Sequence, residues 1–327
     1  MTDPVPPVEE EMTAISTILS PLASTNTVMI FSSNKNRTLQ LELRELGGKA
    51  LSTLGWGDKA APGPKLAYPS SIVAMQHNSA ICVYGVTGES SDNLKLSLMS
   101  PVYEPLSEGR PKTGSLGGIS TLDGSRYLYY QGTSVNESRI IEYSQTSNGI
   151  DFRNLGTDPI MPGTGVFAFR HDRFNWVVYQ QKTGTISLYN VGARKESIIP
   201  GSADLTRAKT PVAACVIPAQ GNRKARIYIY FVGKNERVVS ANAEMAESLS
   251  FNTKDEKPSE VTELGQGQNP VLVESWSQLS VQPCPSFPVP DNTQPSGTLV
   301  QPCNVLFVLK KETSRISQVP VDPWPKE

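Results

Sequence analysis

The sequence predicts an all-β protein folded as a closed six-bladed β-propeller. Three observations carry that reading. First, Arg126-Tyr127-Leu128-Tyr129-Tyr130-Gln131, a polar turn over Gly132–Arg139, and Ile140-Ile141-Glu142-Tyr143 alternate aromatic or β-branched residues with polar ones, the period-two pattern of a strand hairpin. Second, the hairpin occurs in six copies along the chain. Third, the copies begin at Met29, Cys82, Tyr127, Val177, Tyr228 and Val305, in steps of 53, 45, 50, 51 and 77 residues. A period of about fifty with several strands per copy is that of a propeller blade, whose two faces are buried only by its neighbours.

In chain order, Met1–Met12, with Glu9, Glu10 and Glu11 in a row, reads as a disordered acidic tail, and 13–327 as one propeller domain. Innermost strands rich in small or β-branched residues are predicted at Thr13–Ile18, Ser71–Met75, Gly118–Leu122, Gly165–Phe169, Pro211–Cys215 and Pro270–Glu274. The hairpins that follow pair Met29–Phe31 with Leu39–Leu41, Cys82–Tyr84 with Leu94–Leu96, Val177–Gln181 with Ile186–Tyr189, Tyr228–Val232 with Val238–Ser240, and Val305–Phe307 with Ile316–Gln318. Ala243–Leu249 is the one stretch with a helical pattern. The long last step contains an insertion, 282–301, carrying Pro283, Pro285, Pro288, Pro290 and Pro295. Because proline lacks a ladder donor, the insertion reads as a surface loop or a rigid lid over one end of the propeller.

Charged residues make up 19% and the net charge is −1, so no basic field exists to gather nucleic acid or anionic lipid. No apolar run approaches the roughly twenty residues that span a bilayer, so no membrane span is predicted. Cys284 and Cys303 sit in matching Gln-Pro-Cys triplets at the two ends of the insertion, which predicts a disulfide at its base. Asn36-Arg37-Thr38 and Asn136-Glu137-Ser138 are N-glycosylation sequons in predicted turns. Together these predict a secretory-pathway or extracellular glycoprotein, although Met1–Pro7 lacks the apolar core of a signal peptide. Zinc, phosphate-loop and nucleophile-elbow motifs are absent, so neither a metal nor a cofactor is expected. His77 and His171 occupy equivalent places in units two and four, an echo of ancestry or a source of general acid–base chemistry.

Small-residue inner strands followed by hairpins of the form x-(Val/Ile)-Tyr-(aromatic)-Gln and Ile-x-Glu-Tyr resemble the fungal fucose-specific lectins, six-bladed propellers. That resemblance implies a sugar held between blades by an Arg at the first hairpin position, a Glu in the following strand and aromatic faces. Here the Arg position holds Met29, Cys82, Tyr127, Val177, Tyr228 and Val305, and the Glu position holds Leu41, Leu96, Glu142, Leu188, Ser240 and Gln318. No Arg and one Glu survive. The scaffold, sequons and cysteine pair are also similar to lectin-like glycosylated enzymes of fungal tropolone sesquiterpenoid biosynthesis. That resemblance implies a cofactor-independent Diels–Alderase that joins a tropolone-derived quinone methide to a humulene-type terpene by hetero-Diels–Alder cycloaddition. Small apolar or aromatic natural products are then the expected partners. The expected catalytic residues are Tyr127, Tyr228, Glu142, Arg226 and His171, in one pocket near units three to five. Arg126, Trp176, Trp276, Met29 and Val177 are the expected substrate contacts, the tryptophans being alternatively blade packing. The competing readings are a lectin of altered specificity and a non-catalytic interaction propeller.

Overall fold

The structure, a computed structural model, describes residues 14–21, 27–34, 36–48, 50–55, 64–106, 111–134, 137–219, 221–222, 224–246, 249, 253–254, 257–258, 262–264, 271–273, 277–290, 298–310 and 315–324. The predicted tail, Asn136, Trp276 and residues 291–297 of the insertion lie outside them.

Six sheets form, one for each repeat. Blade I holds β1 (Ile15–Leu19), β2 (Thr27–Ser33), β3 (Leu39–Glu45) and β4 (Ala50–Gly55); blade II holds β5 (Ile72–His77), β6 (Ala80–Thr87), β7 (Lys95–Ser100) and β8 (Glu104–Pro105). Blade III comprises β9 (Leu116–Ser120), β10 (Arg126–Ser134), β11 (Glu137–Thr146) and β12 (Gly149–Asn154), and blade IV β13 (Val166–His171), β14 (Phe174–Gln180), β15 (Ile186–Asn190) and β16 (Lys195–Ile198). Blade V contains β17 (Val212–Ile217), β18 (Arg226–Val232), β19 (Val238–Glu244) and, after a separate short pair β20 (Thr253–Lys254) and β21 (Lys257–Pro258), β22 (Thr262–Glu263). Blade VI has three strands, β23 (Ser280–Pro290), β24 (Thr298–Lys310) and β25 (Arg315–Pro323). All six predicted hairpins are present.

The innermost strands β1, β5, β9, β13, β17 and β23 stand side by side, and β1 touches both β5 and β23, so the ring closes. Glycine permits the approach at the axis. A Cβ on Gly117 would lie 2.9 Å from Ala168 N, and one on Gly165 2.8 Å from Val212 N. At the closing seam, Gln278 accepts from the backbone N–H of Ile15 (3.0 Å) and Ile72 (3.1 Å) and donates to Ile72 O (3.0 Å), tying blades VI, I and II together. Six apolar clusters fill the six seams. Each large side chain wholly buried there, such as Trp176, Phe231 or Phe307, contributes about 1.5–3 kcal/mol.

Five expectations are corrected. The innermost strand of blade VI is Ser280–Pro290 and not Pro270–Glu274, where Leu272 and Val273 make isolated bridges to Arg237 and Lys310. The proline-rich stretch is therefore a long hairpin rather than a loop or lid. It tolerates its prolines because β23 is the edge of its sheet, paired along one side, with a bulge between Cys284 and Phe287. Cys284 and Cys303 are register partners on this hairpin, as expected of a stapled base, but both are buried free thiols. Finally, Ala243 and Glu244 end β19 instead of starting a helix, and Gly132 and Arg139 are paired strand residues rather than turn.

Candidate functional site

Because side chains alternate along a strand, each blade shows one face to the preceding blade and the other to the next. Cross-strand register places Met29, Cys82, Tyr127, Trp176, Tyr228 and Val305 at one height on the forward face, opposite Ile18, Met75, Ile119, Phe169, Cys215 and Gln282. In blade IV the position belongs to Trp176. Val177 faces blade III, because Trp176-Val177-Val178 can be read in either phase from sequence alone. Four of the six positions are buried, at 5% exposure for Cys82 and Tyr228, 1% for Trp176 and 0% for Val305; Met29 and Tyr127 are partly buried. Four of the six seam positions that the resemblance reserves for sugar are thus packed core.

Two residues further on, the forward face carries Phe31, Tyr84, Tyr129, Val178, Tyr230 and Phe307. Each tyrosine is bonded to the next blade at the residue just before that blade's forward position. Arg126 Nη1 donates to Tyr84 Oη (2.6 Å), Asn175 Nδ2 to Tyr129 Oη (3.1 Å) and Asn304 Nδ2 to Tyr230 Oη (2.8 Å). Where the aromatic hydroxyl is missing, the facing residue is apolar: Ile81 opposite Phe31, Ile227 opposite Val178 and Val28 opposite Phe307. Burial raises all three tyrosine hydroxyls, to about 12 for Tyr84.

The expected catalytic residues are not brought into one pocket. Tyr127 and Glu142 share the seam between blades III and IV, while Tyr228 and Arg226 lie on the forward face of blade V, against blade VI. Glu142 is 3% exposed and pairs with Arg153 Nε at 2.7 Å. Arg226 donates to Asn242 Oδ1. His171 ends β13 with its Nε2 3.5 Å from Asp172 Oδ2, and His77 ends β5 against Asn78. Burial and, next, Arg126 hold the His77 imidazole below its usual value. Of the expected substrate contacts, Trp176 stacks on Phe169 at 6.2 Å and Val177 is 0% exposed, so neither offers a ligand a surface. Arg126 points back towards blade II, bonded to Tyr84, and Met29 packs against the seam between blades I and II. Asn36 is exposed in the β2–β3 turn.

A site that sequence reasoning missed lies at the opposite end of the blades from the two histidines, where the chain enters the innermost strands. A cavity of 490 Å³ opens there, walled by Tyr68, Leu94 and Pro162 and ringed by Arg37, Lys112, Lys209 and Glu89. It shares Pro69, Thr113, Gly114, Gly163 and Lys209 with a narrow 50 Å³ cavity on the axis. Two buried glutamines, Gln131 within β10 and Gln180 at the end of β14, position its wall. Gln131 donates to Met161 O and accepts from Gly163 N, and Gln180 donates to Arg207 O and accepts from Thr210 N. The signal available in the sequence was the place of Lys112 and Lys209, each a few residues ahead of an innermost strand.

The closed ring of six antiparallel blades is a lectin-like β-propeller in fold. In fold the chain is similar to AofleA from Arthrobotrys oligospora, at 14% identity and TM-score 0.63, over 95% of this chain and 87% of that one. It is similar also to the fucose-specific lectin from Aleuria aurantia, at 14% identity and TM-score 0.60, over 94% of this chain and 91% of that one. SapL1 lectin in complex with alpha methyl fucoside matches at 12% identity and TM-score 0.58, over 96% and 97% of the two chains. In sequence, the chain is 22% identical over 235 residues to the wall-associated proteinase of Coccidioides immitis, spanning 68% of this chain and 74% of that protein. No family model matches.

Proposed function

We propose that the chain is a lectin-like propeller that binds a small organic molecule in the cavity at the axial mouth, in place of fucose in its seams. The observation that carries this reading is the contrast between the two locations. Four of the six seam positions are buried under their own side chains, whereas the 490 Å³ cavity falls within the range of about 300–1,000 Å³ usual for small-molecule sites. The cycloaddition belongs in the same cavity. Tyr68, Leu94 and Pro162 supply an apolar wall to hold two reactants together, and Arg37, Lys112 and Lys209 supply donors for the tropolone oxygens. The exposed sequon residue Asn36 accords with a secretory route.

A lectin remains the second reading because one seam keeps suitable chemistry: Glu142 and Arg153 stand beside the partly buried Tyr127. Two measurements separate the readings. Calorimetric titration with fucose is expected to give an affinity no tighter than about millimolar, and a tropolonic benzylic alcohol mixed with humulene is expected to yield adduct faster with protein than in buffer. Micromolar fucose affinity lost in Glu142→Gln would restore the lectin. Equal rates with and without protein would remove the cycloaddition.

A further inference from the structure

We infer that the ligand of the axial-mouth cavity is an amphipathic organic anion, with an apolar or aromatic body and one anionic oxygen group. The inference rests on the reading of that cavity as the binding site. The whole chain carries 30 cationic and 31 acidic residues, yet the cavity lining has three cations, Arg37, Lys112 and Lys209, and one acid, Glu89. Glu89 lies 3.6 Å from Lys65, which is outside the lining. Among the described residues none of the three cations is ion-paired.

They come from three different blades, and their backbones are pinned. Arg37 stands at φ +61° with its N–H donating to Asn34 O and its carbonyl accepting from Leu66 N. Lys112 N donates to the carbonyl of Gln131. Lys209, at φ +59°, precedes Thr210, whose N–H and carbonyl are bonded to Gln180 and Gly165. Left-handed backbone at two non-glycine residues of one cavity marks positions held by their surroundings, as at ligand clamps. Like charges gathered round a concave surface are relieved by an anion, and the field they focus raises its local concentration. The apolar wall of Tyr68, Leu94 and Pro162 fits the ligand's body.

A matched pair of fluorescent probes tests this: 8-anilinonaphthalene-1-sulfonate and N-phenyl-1-naphthylamine, the same skeleton without the sulfonate. The native protein is expected to bind the anion at least about ten-fold more tightly, with the advantage shrinking above roughly 0.3 M salt. Lys112→Gln with Lys209→Gln should remove most of that advantage and leave the neutral probe's affinity unchanged, with unaltered circular dichroism. Ser90→Trp, which fills the cavity, should abolish both. Equal affinity for the two probes, or a double variant that keeps the preference, overturns the anion inference while the cavity reading stands. Both probes bound undiminished by Ser90→Trp, or neither bound by the native protein, overturns the cavity reading itself.

Discussion

Gln278→Ala is expected to loosen the ring at its closing seam. The side chain makes three hydrogen bonds, two accepted from Ile15 and Ile72 and one donated to Ile72 O. Each is worth about 1 kcal/mol net, and a buried N–H left without an acceptor costs about 1–3 kcal/mol. Both isoleucines are 0% exposed, but the neighbouring 50 Å³ axial cavity can admit water to part of the gap. The expected loss is therefore about 2–4 kcal/mol, a large share of the roughly 5–15 kcal/mol that holds a typical domain together. Urea unfolding followed by tryptophan fluorescence measures it, and Gln278→Leu controls for lost volume. Amide exchange at Ile15 and Ile72 should quicken in both variants. A loss under about 0.5 kcal/mol in both, with an unchanged denaturant slope, would refute the argument that this side chain closes the ring.

Alkaline pH should weaken the fold through Tyr84. Burial raises its hydroxyl to about 12 from an ordinary 10.0, so the folded chain keeps a proton that the unfolded chain sheds first. The contribution is complete below pH 10 and declines as pH rises through 12. Tyr84→Phe should flatten the fall in urea midpoint across that window, and an unchanged slope would contradict the assignment. Burial likewise pushes the Cys303 thiol up to about 12, so a disulfide-exchange reagent at pH 8 should label it slowly in the folded protein and rapidly in urea. Fast labelling of the native state would show the hairpin to be open.

The hairpins were legible because aromatic and β-branched residues alternate with polar ones in strands exposed to a neighbour on each face. Phase was less secure. Trp176-Val177-Val178 is apolar throughout, so its register needed the partner strand, and Trp176 rather than Val177 proved to face forward. The sixth inner strand was hidden by its prolines, since Pro283 and Pro288 argue against a strand unless an edge is available, and edges are a property of the assembled sheet. For the candidate cavity the sequence held only the place of Lys112 and Lys209 ahead of innermost strands. Arg37, Lys112 and Lys209 lie on turns and entry segments, without periodicity, and only ring closure gathers them.

The tyrosine contacts also divide the propeller unequally. Bonds from Tyr84 to Arg126 and from Tyr129 to Asn175 join blades II, III and IV, and the bond from Tyr230 to Asn304 joins V and VI. At the same height, the seams on both sides of blade I and the one between IV and V meet through apolar side chains. The tyrosine bonds thus leave three groups, blades II–IV, blades V–VI and blade I, which polar bonds at other heights, such as Gln278 to Ile15 and Ile72, Thr17 to Ser280 and Leu249 N to Ser197, tie to one another. Lys112 rides on the first, Lys209 on the second and Arg37 on the third. A molecule that engaged all three would act as a keystone at the mouth, joining the three groups there as Gln278 joins blades VI, I and II at the closing seam.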